Sequence, residues 1–141
     1  MSSLLRICAG LLIVAMAGCA STPKLTNSDK AQLLERAEAR WHALMVRDWE
    51  SAYAFMSPAY RDVFSYPMFR QRFSYSVKWE LTSVELVNYD APAAVASVAI
   101  GVMSRPVKPT SAASKALGAT PARIVEQWVN KDGSWWYGGR L

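Results

Sequence analysis

The chain has 141 residues and a mass of 15.6 kDa, the size of one domain. Hydrophobic residues make up 52% and charged residues 19%, enough to bury a core and too apolar for disorder throughout. Two cysteines cannot build a disulfide-dense scaffold or a four-cysteine zinc site, and one histidine excludes a metal site of several imidazoles.

The chain opens Met1-Ser-Ser-Leu-Leu-Arg6, followed by an uncharged, mostly apolar run from Ile7 to Ala17 and then Gly18-Cys19. As a helix that run would span about 16 Å, against roughly 30 Å of hydrocarbon core. It is too short to cross a bilayer and has the length of a signal-peptide core. Met16-Ala17-Gly18-Cys19 resembles the lipobox of bacterial lipoproteins, with Met16 in place of the usual Leu. That resemblance implies a diacylglyceryl group on the Cys19 thiol, cleavage before it and acylation of the new amine. Residues 1–18 are then a leader that carries Cys8 away, and Cys19 is blocked. The domain must stand on packing alone. Each buried lipid CH₂ contributes roughly 0.8 kcal/mol, so two or three acyl chains anchor stably. In Gram-negative lipoproteins an Asp after the Cys favours the inner membrane; Ala20 therefore points to the periplasmic face of the outer one.

Residues 19–27 read as lipidated Cys and polar tether. From Ala20 to Asn27 the reach is at most about 28 Å, which keeps the domain near the membrane. A single domain then fills residues 28–141. Ser28 is the expected cap of a first helix running to about Arg47, with Asp29 at the positive end of its dipole. At 100° per residue, Leu33, Leu34, Ala37, Trp41, Leu44 and Met45 share an arc of about 120°. Arg36, Arg40 and Arg47 take one polar flank, Glu38 and His42 the other. Asp48 caps a second helix carrying Trp49, Ala52, Tyr53 and Met56 on one side. Ser57-Pro58 opens a short helix from Ala59 to Phe64, and Pro67 another from Met68 to Phe73.

Strand texture follows. Val77, Trp79 and Leu81 alternate, and the phase slips at Thr82-Ser83 to Val84 and Leu86, the pattern of a β-bulge. Asn88 to Pro92 is a turn. Ala94, Ala96, Val98, Ile100 and Val102 face one way on the next strand. Ser104 to Pro121 is expected to be a long loop. Arg123 to Asn130 forms a third strand, Asp132-Gly133 a type I′ turn, and Trp135-Trp136-Tyr137 a fourth strand. Helices followed by an antiparallel sheet of about four strands define an α+β domain.

Three segments resemble the nuclear transport factor 2-like superfamily. They are Ala37-Arg-Ala-Glu-Ala-Arg-Trp41 with Arg47-Asp48, Ala52-Tyr-Ala-Phe-Met-Ser-Pro-Ala-Tyr-Arg61, and the closing Glu126-Gln-Trp-Val-Asn-Lys-Asp-Gly-Ser-Trp-Trp-Tyr137. The resemblance implies a cone in which helices and a curved sheet enclose a pocket. Some members are isomerases, dehydratases or hydrolases with Asp, Glu or His in the cone, and others are non-catalytic binders. These matching segments are packing and turn motifs without a catalytic signature.

Few residues offer chemistry. His42 has the right titration range for a general base, yet lies about 100° from the centre of the apolar arc beside Glu38, where a solvated rim residue is the plain reading. Glu126 alternates with Ile124 and Trp128. Facing inward it is a candidate acid; facing outward it is an edge residue opposite a Lys or Arg. No Gly-rich phosphate loop or metal-ligand spacing is present, so no catalytic set, metal or cofactor is expected. The six Trp, six Tyr and four Phe all lie from Trp41 onward. Trp41, Tyr53, Phe69, Phe73, Trp79, Trp128 and Trp136 are the candidates to line the interior, either as core or as pocket walls. Trp41 should sit at the helix–sheet interface with its indole N–H on a strand serine, Ser83 or Ser97. Arg105, Lys108, Lys115 and Arg123 form an acid-free basic stretch suited to anionic head groups or envelope polymers, or else a solvated loop. The bases are scattered and lack a recognition motif, so nucleic acid is not an expected partner.

The expected protein is thus an envelope lipoprotein held to the membrane through lipid on Cys19. Its expected role is non-catalytic, binding a small apolar ligand or an envelope protein; the alternative is an isomerase, dehydratase or hydrolase using the same cone. Wild type should partition with membranes and gain the mass of its acyl groups. Cys19→Ser should leave an unlipidated precursor. Mass spectrometry finding an unmodified Cys19 in the mature protein would refute the lipoprotein reading and leave an ordinary cleaved signal with a chance Cys.

Overall fold

The computed structural model describes residues 24–73 and 76–139. The leader, the lipobox with Cys19 and most of the tether lie outside the described residues.

Helix α1 covers Asn27–Val46. Its cap is Thr26, one turn-residue pair earlier than Ser28. The Thr26 hydroxyl accepts from the Asp29 amide at 3.0 Å, and Asp29 Oδ2 accepts from the Thr26 amide at 3.3 Å. That reciprocal box needs a side chain three residues past the cap that can accept from the cap's own amide. From Thr26 that residue is Asp29; from Ser28 it is Ala31, which cannot reach back. Helix α2 (Trp49–Ala54) is capped by Asp48, whose Oδ1 accepts from the Ser51 amide at 3.1 Å and Oδ2 from the Ser51 hydroxyl at 2.6 Å. These bonds favour the carboxylate and lower the Asp48 pKa. The cap is therefore intact above the ordinary Asp range and weakens as pH falls through the lowered value. Helix α3 (Pro58–Val63) follows the Ser57 cap with Pro in its first turn. Helix α4 is Tyr66–Arg70, beginning earlier than expected because Pro67 fits inside the first turn rather than before it.

The sheet is an antiparallel meander of β1 (Val77–Asp90), β2 (Val95–Pro106), β3 (Thr120–Lys131) and β4 (Ser134–Tyr137), paired in that order. The chain is an α+β domain with its helices before its strands. The register of β1 on β2 slips between Leu81 and Ser83, where the sequence phase slips, and again between Leu86 and Asn88. Gly101 lies under the first bulge. A Cβ there would stand 2.5 Å from Ser83 Oγ and 2.7 Å from Thr82 Oγ1, so any larger residue would require both hydroxyls of the bulge to move. Asp132 (φ 54°) and Gly133 (φ 77°) turn the β3–β4 hairpin with both residues left-handed, the geometry of a type I′ turn.

The segment from Ser104 to Pro121 is not one loop. Strand β2 runs on to Pro106, β3 begins at Thr120, and between them Ser111 caps a short helix α5 (Ala112–Leu117) by a box with Ser114. Pairing of Met103 with Pro121 and Ser104 with Thr120 extends the ladder.

Helix α1 lays Leu33, Ala37, Trp41 and Leu44 on the sheet face made by Ala96, Val98, Ile100, Val102, Trp128 and Trp135. Two charged residues are buried in that interface, Arg40 on α1 and Glu126 on β3. No described helix is long and apolar enough to cross a membrane.

Candidate functional site

Glu126 faces inward from β3 and is 2% exposed. Both of its carboxylate oxygens are taken. Oε1 accepts from Arg40 Nη1 at 2.6 Å and from the Trp41 indole N–H at 2.9 Å, and Oε2 accepts from the Trp128 indole N–H at 3.0 Å. Arg40 is 4% exposed, and its guanidinium lies 3.8 Å from the centre of the Tyr137 ring. Three donors, one of them charged, occupy most of the acceptor sites of this carboxylate. Glu126 is thus an organising group between α1, β3 and β4.

The inward Arg40 corrects the expectation that it lies on the polar flank with Arg36 and Arg47. It stands only about 20° beyond Leu33 on the helical wheel, and the buried arc of α1 is displaced toward it. Leu34 and Met45, at the opposite margin, are only half-buried. The inward acid explains the displacement, because it gives that margin of the helix a charged partner. Trp41 likewise finds Glu126 rather than Ser83 or Ser97. Ser97 bonds instead with Gln127 across the ladder.

Arg40 forms one wall of a cavity of about 340 Å³. Met56, Tyr60, Phe69, Arg72, Phe73, Tyr137 and Gly139 supply the rest. The elements that place them follow from the sequence breaks. Ser57-Pro58 starts α3 so that Tyr60 turns inward, and Ser65 to Pro67 starts α4 so that Phe69 does. Met56 and Tyr137 are tied by the backbone, the Tyr137 amide donating to Phe55 O and the Ser57 amide to Tyr137 O, both at 2.9 Å. Gly139 has φ 80°, and a Cβ on it would meet the Tyr60 ring at 2.7 Å. Arg72 Nη1 donates to the Tyr60 hydroxyl at 3.0 Å.

Of the seven aromatic candidates, Phe69 and Phe73 line this cavity. Trp41 and Trp128 are core, 5% and 0% exposed. Tyr53 packs beneath Phe69 (centroids 5.3 Å apart) and donates its hydroxyl proton to Phe64 O at 2.7 Å. Trp79 meets Trp41 edge-on at 6.0 Å and lines a shallow groove with Glu38 and His42. Trp136 is not interior. It lies on the opposite face from Trp135 and Tyr137, beside the guanidinium groups of Arg36 and Arg61. Burial lowers the Arg36 pKa, and its Nε donates to Trp135 O at 2.7 Å. Period-two alternation makes Trp135 and Tyr137 the inward pair. Arg40, Met56, Tyr60, Arg72, Tyr137 and Gly139 are the lining residues that the sequence reading left out.

The single histidine is on the rim, with Nε2 of His42 3.4 Å from Glu38 Oε1 and both side chains more than half exposed. The basic stretch is not a loop. Arg105 belongs to β2 and pairs with Glu80 at 3.7 Å, Lys115 lies in α5, Arg123 in β3, and Lys108 just past β2. Among the described residues no group of His, Cys, Asp and Glu could hold a metal ion.

No family model matches the chain, and no curated protein does. Among solved structures it is similar to the solution structure of a SEC-C motif-containing protein from Rhodopseudomonas palustris. The two share 14% identity over 71% of this chain and 70% of that one, with a TM-score of 0.46.

Trp41→Ala should cost about 3–5 kcal/mol, because it opens a hole in the interface and removes a donor from buried Glu126. His42→Ala, one residue along on the exposed rim, should cost under about 1 kcal/mol. Paired urea melts check this; similar small losses for both would contradict the orientation of α1.

Proposed function

We propose that this protein is an envelope lipoprotein tethered through Cys19, with a nuclear transport factor 2-like domain that binds a small, largely apolar ligand without transforming it. The lipobox sequence Met16-Ala17-Gly18-Cys19 and its position after a short apolar run support the anchor. Ala20 after the Cys supports the periplasmic face of the outer membrane. The order of helices before an antiparallel meander, with α1 across the sheet, is compatible with the cone-shaped family.

The observation that carries the binding reading is the composition of the cavity wall. Among the described residues its lining, Arg40, Met56, Tyr60, Phe69, Arg72, Phe73, Tyr137 and Gly139, includes neither a carboxyl group nor an imidazole. Acid–base chemistry on a small molecule needs a group within hydrogen-bond reach that exchanges protons near neutral pH. The acid behind the wall, Glu126, is committed to three donors. Aromatic walls around a volume near the lower end of the ligand-pocket range, about 300–1,000 Å³, suit binding of a small molecule.

Met56 makes the test site-specific, since its methyl group is part of the wall whereas Met68 is exposed and Met103 lies on the sheet. The full-length chain, labelled with ¹³C at its methionine methyls, is titrated with toluene. A saturable shift of the Met56 signal is expected, with Met68 and Met103 unmoved. A silent Met56, or an equal response at Met68, would refute the binding cavity.

A further inference from the structure

We propose that Arg36, Arg61 and Trp136 form a binding site for a phosphate ester on the outward face of β4, separate from the cavity beside Arg40. Phosphate recognition stands independently of the lipoprotein reading; a lipid head group as the source of that phosphate rests on it.

Arg36 comes from α1 and Arg61 from α3, and both are half-buried. Their guanidinium carbons lie 5.4 and 5.5 Å from the centre of the Trp136 ring. Arg36 is held further by the bond from its Nε to Trp135 O at 2.7 Å and by the Phe55 ring at 5.0 Å. Two cations on one indole repel each other, and the ring quadrupole offsets only part of that repulsion. Arg40 has Glu126 and Arg105 has Glu80, but among the described residues no carboxylate pairs with Arg36 or Arg61. The Nη groups of both arginines and the indole N–H of Trp136 make no hydrogen bond among the described residues and are open to solvent. Three elements thus bring open donors and an uncompensated double positive charge to one ring. An anion there supplies the acceptors and removes the repulsion.

The arrangement selects the class of anion. A carboxylate presents its two oxygens in one plane and fits one guanidinium fork. A phosphate presents oxygens in several directions and bridges two guanidiniums that arrive from different elements. As a monoester it carries about two negative charges, which matches the pair. Beside Arg36 an open depression of about 420 Å³, lined by Gln32, Glu35, Phe55, Ser134 and Trp135 among others, leaves room for the group that carries the phosphate. Glu35 is exposed there, and its charge opposes an anion. Along α1, Arg36 lies about 14 Å from Asn27. With a tether that reaches at most about 28 Å, the site stays within range of the head groups around an acylated Cys19.

The experiment follows the indole N–H signal of Trp136 in the ¹⁵N-labelled full-length chain, held in uncharged maltoside micelles at constant ionic strength. Trp136→Phe assigns the signal. The probes are glycerol 3-phosphate and glycerate, of similar size. Glycerol phosphate should shift Trp136 saturably, leave buried Trp128 unmoved and bind at least about tenfold tighter than glycerate. Arg61→Gln should weaken it about tenfold or more, Arg61→Lys should recover part of that loss, and Glu35→Gln should tighten binding about twofold. Near-UV circular dichroism checks folding; if Arg61→Gln does not fold, Glu35→Gln and the two probes decide. The same chain is then placed in nanodiscs containing phosphatidylglycerol. A Trp136 signal already shifted there, and no longer responsive to glycerol phosphate, assigns the phosphate to a lipid head; one that titrates as in micelles assigns it to a soluble ester. No saturable shift in micelles, equal affinity for glycerate, or unchanged affinity in Arg61→Gln would overturn the site. An unmodified Cys19 in a chain whose Trp136 still titrates would remove the lipoprotein reading and leave the phosphate site standing.

Discussion

The buried ion pair between Arg40 and Glu126 is the contact on which the rest of the arrangement depends. It joins residues 86 apart in sequence at 2.6 Å in a region closed to solvent. Taking two charges out of water is expensive, and the pair repays this only if its remaining hydrogen-bonding capacity is met. Here two indoles and a phenol ring meet most of it. Trp41 comes from the same helix as Arg40, Trp128 from the same strand as Glu126, and Tyr137 from the next strand. One carboxylate therefore fixes the rotation of α1, its position along β3 and the pairing of β3 with β4. An apolar contact of the same area would leave α1 freer to roll, because hydrophobic burial is non-directional.

The same pair shapes the cavity. The guanidinium plane rests on Tyr137, and its unpartnered Nε belongs to a residue of the cavity wall. Around it, Tyr53, Phe69, Phe73 and Trp49 pack in a continuous series, with Trp49 stacked on Phe73 at 5.0 Å. Such rings resist collapse into a neighbouring void because their own contacts hold their orientation. Stability and the shape of the cavity are thus coupled. The groups that hold α1 on the sheet also form the polar end of the cavity.

The element order was legible in the sequence because its signals are local. Asp48 and Ser57 cap where short polar residues precede helices, Asp132-Gly133 turns where left-handed residues are needed, and the phase slip at Thr82-Ser83 marks the bulge. Boundaries failed where a partner three residues away decides, as at Thr26 rather than Ser28, and where Ser111 and Ser114 make a helix inside an apparent loop. The site was half legible. Alternation allowed Glu126 to face inward, and Arg40 lay one small step from the apolar arc. Each looked ordinary alone. A buried acid requires a buried donor, and asking which base could supply it would have selected Arg40. Tyr60 and Arg72 had no such signal, since their approach depends on how α3 and α4 pack.

The central claim is that Arg40 and Glu126 act as one unit, and a double-mutant cycle measures that directly. Urea melts of Arg40→Met, Glu126→Gln and the double variant give the coupling free energy. Each single change should cost about 3–5 kcal/mol, since it leaves a charged group buried without its counterpart. The double variant should cost less than the two singles together by about 2 kcal/mol or more. Additivity within about 0.5 kcal/mol would show that the two residues stabilise the fold independently, and would contradict the account.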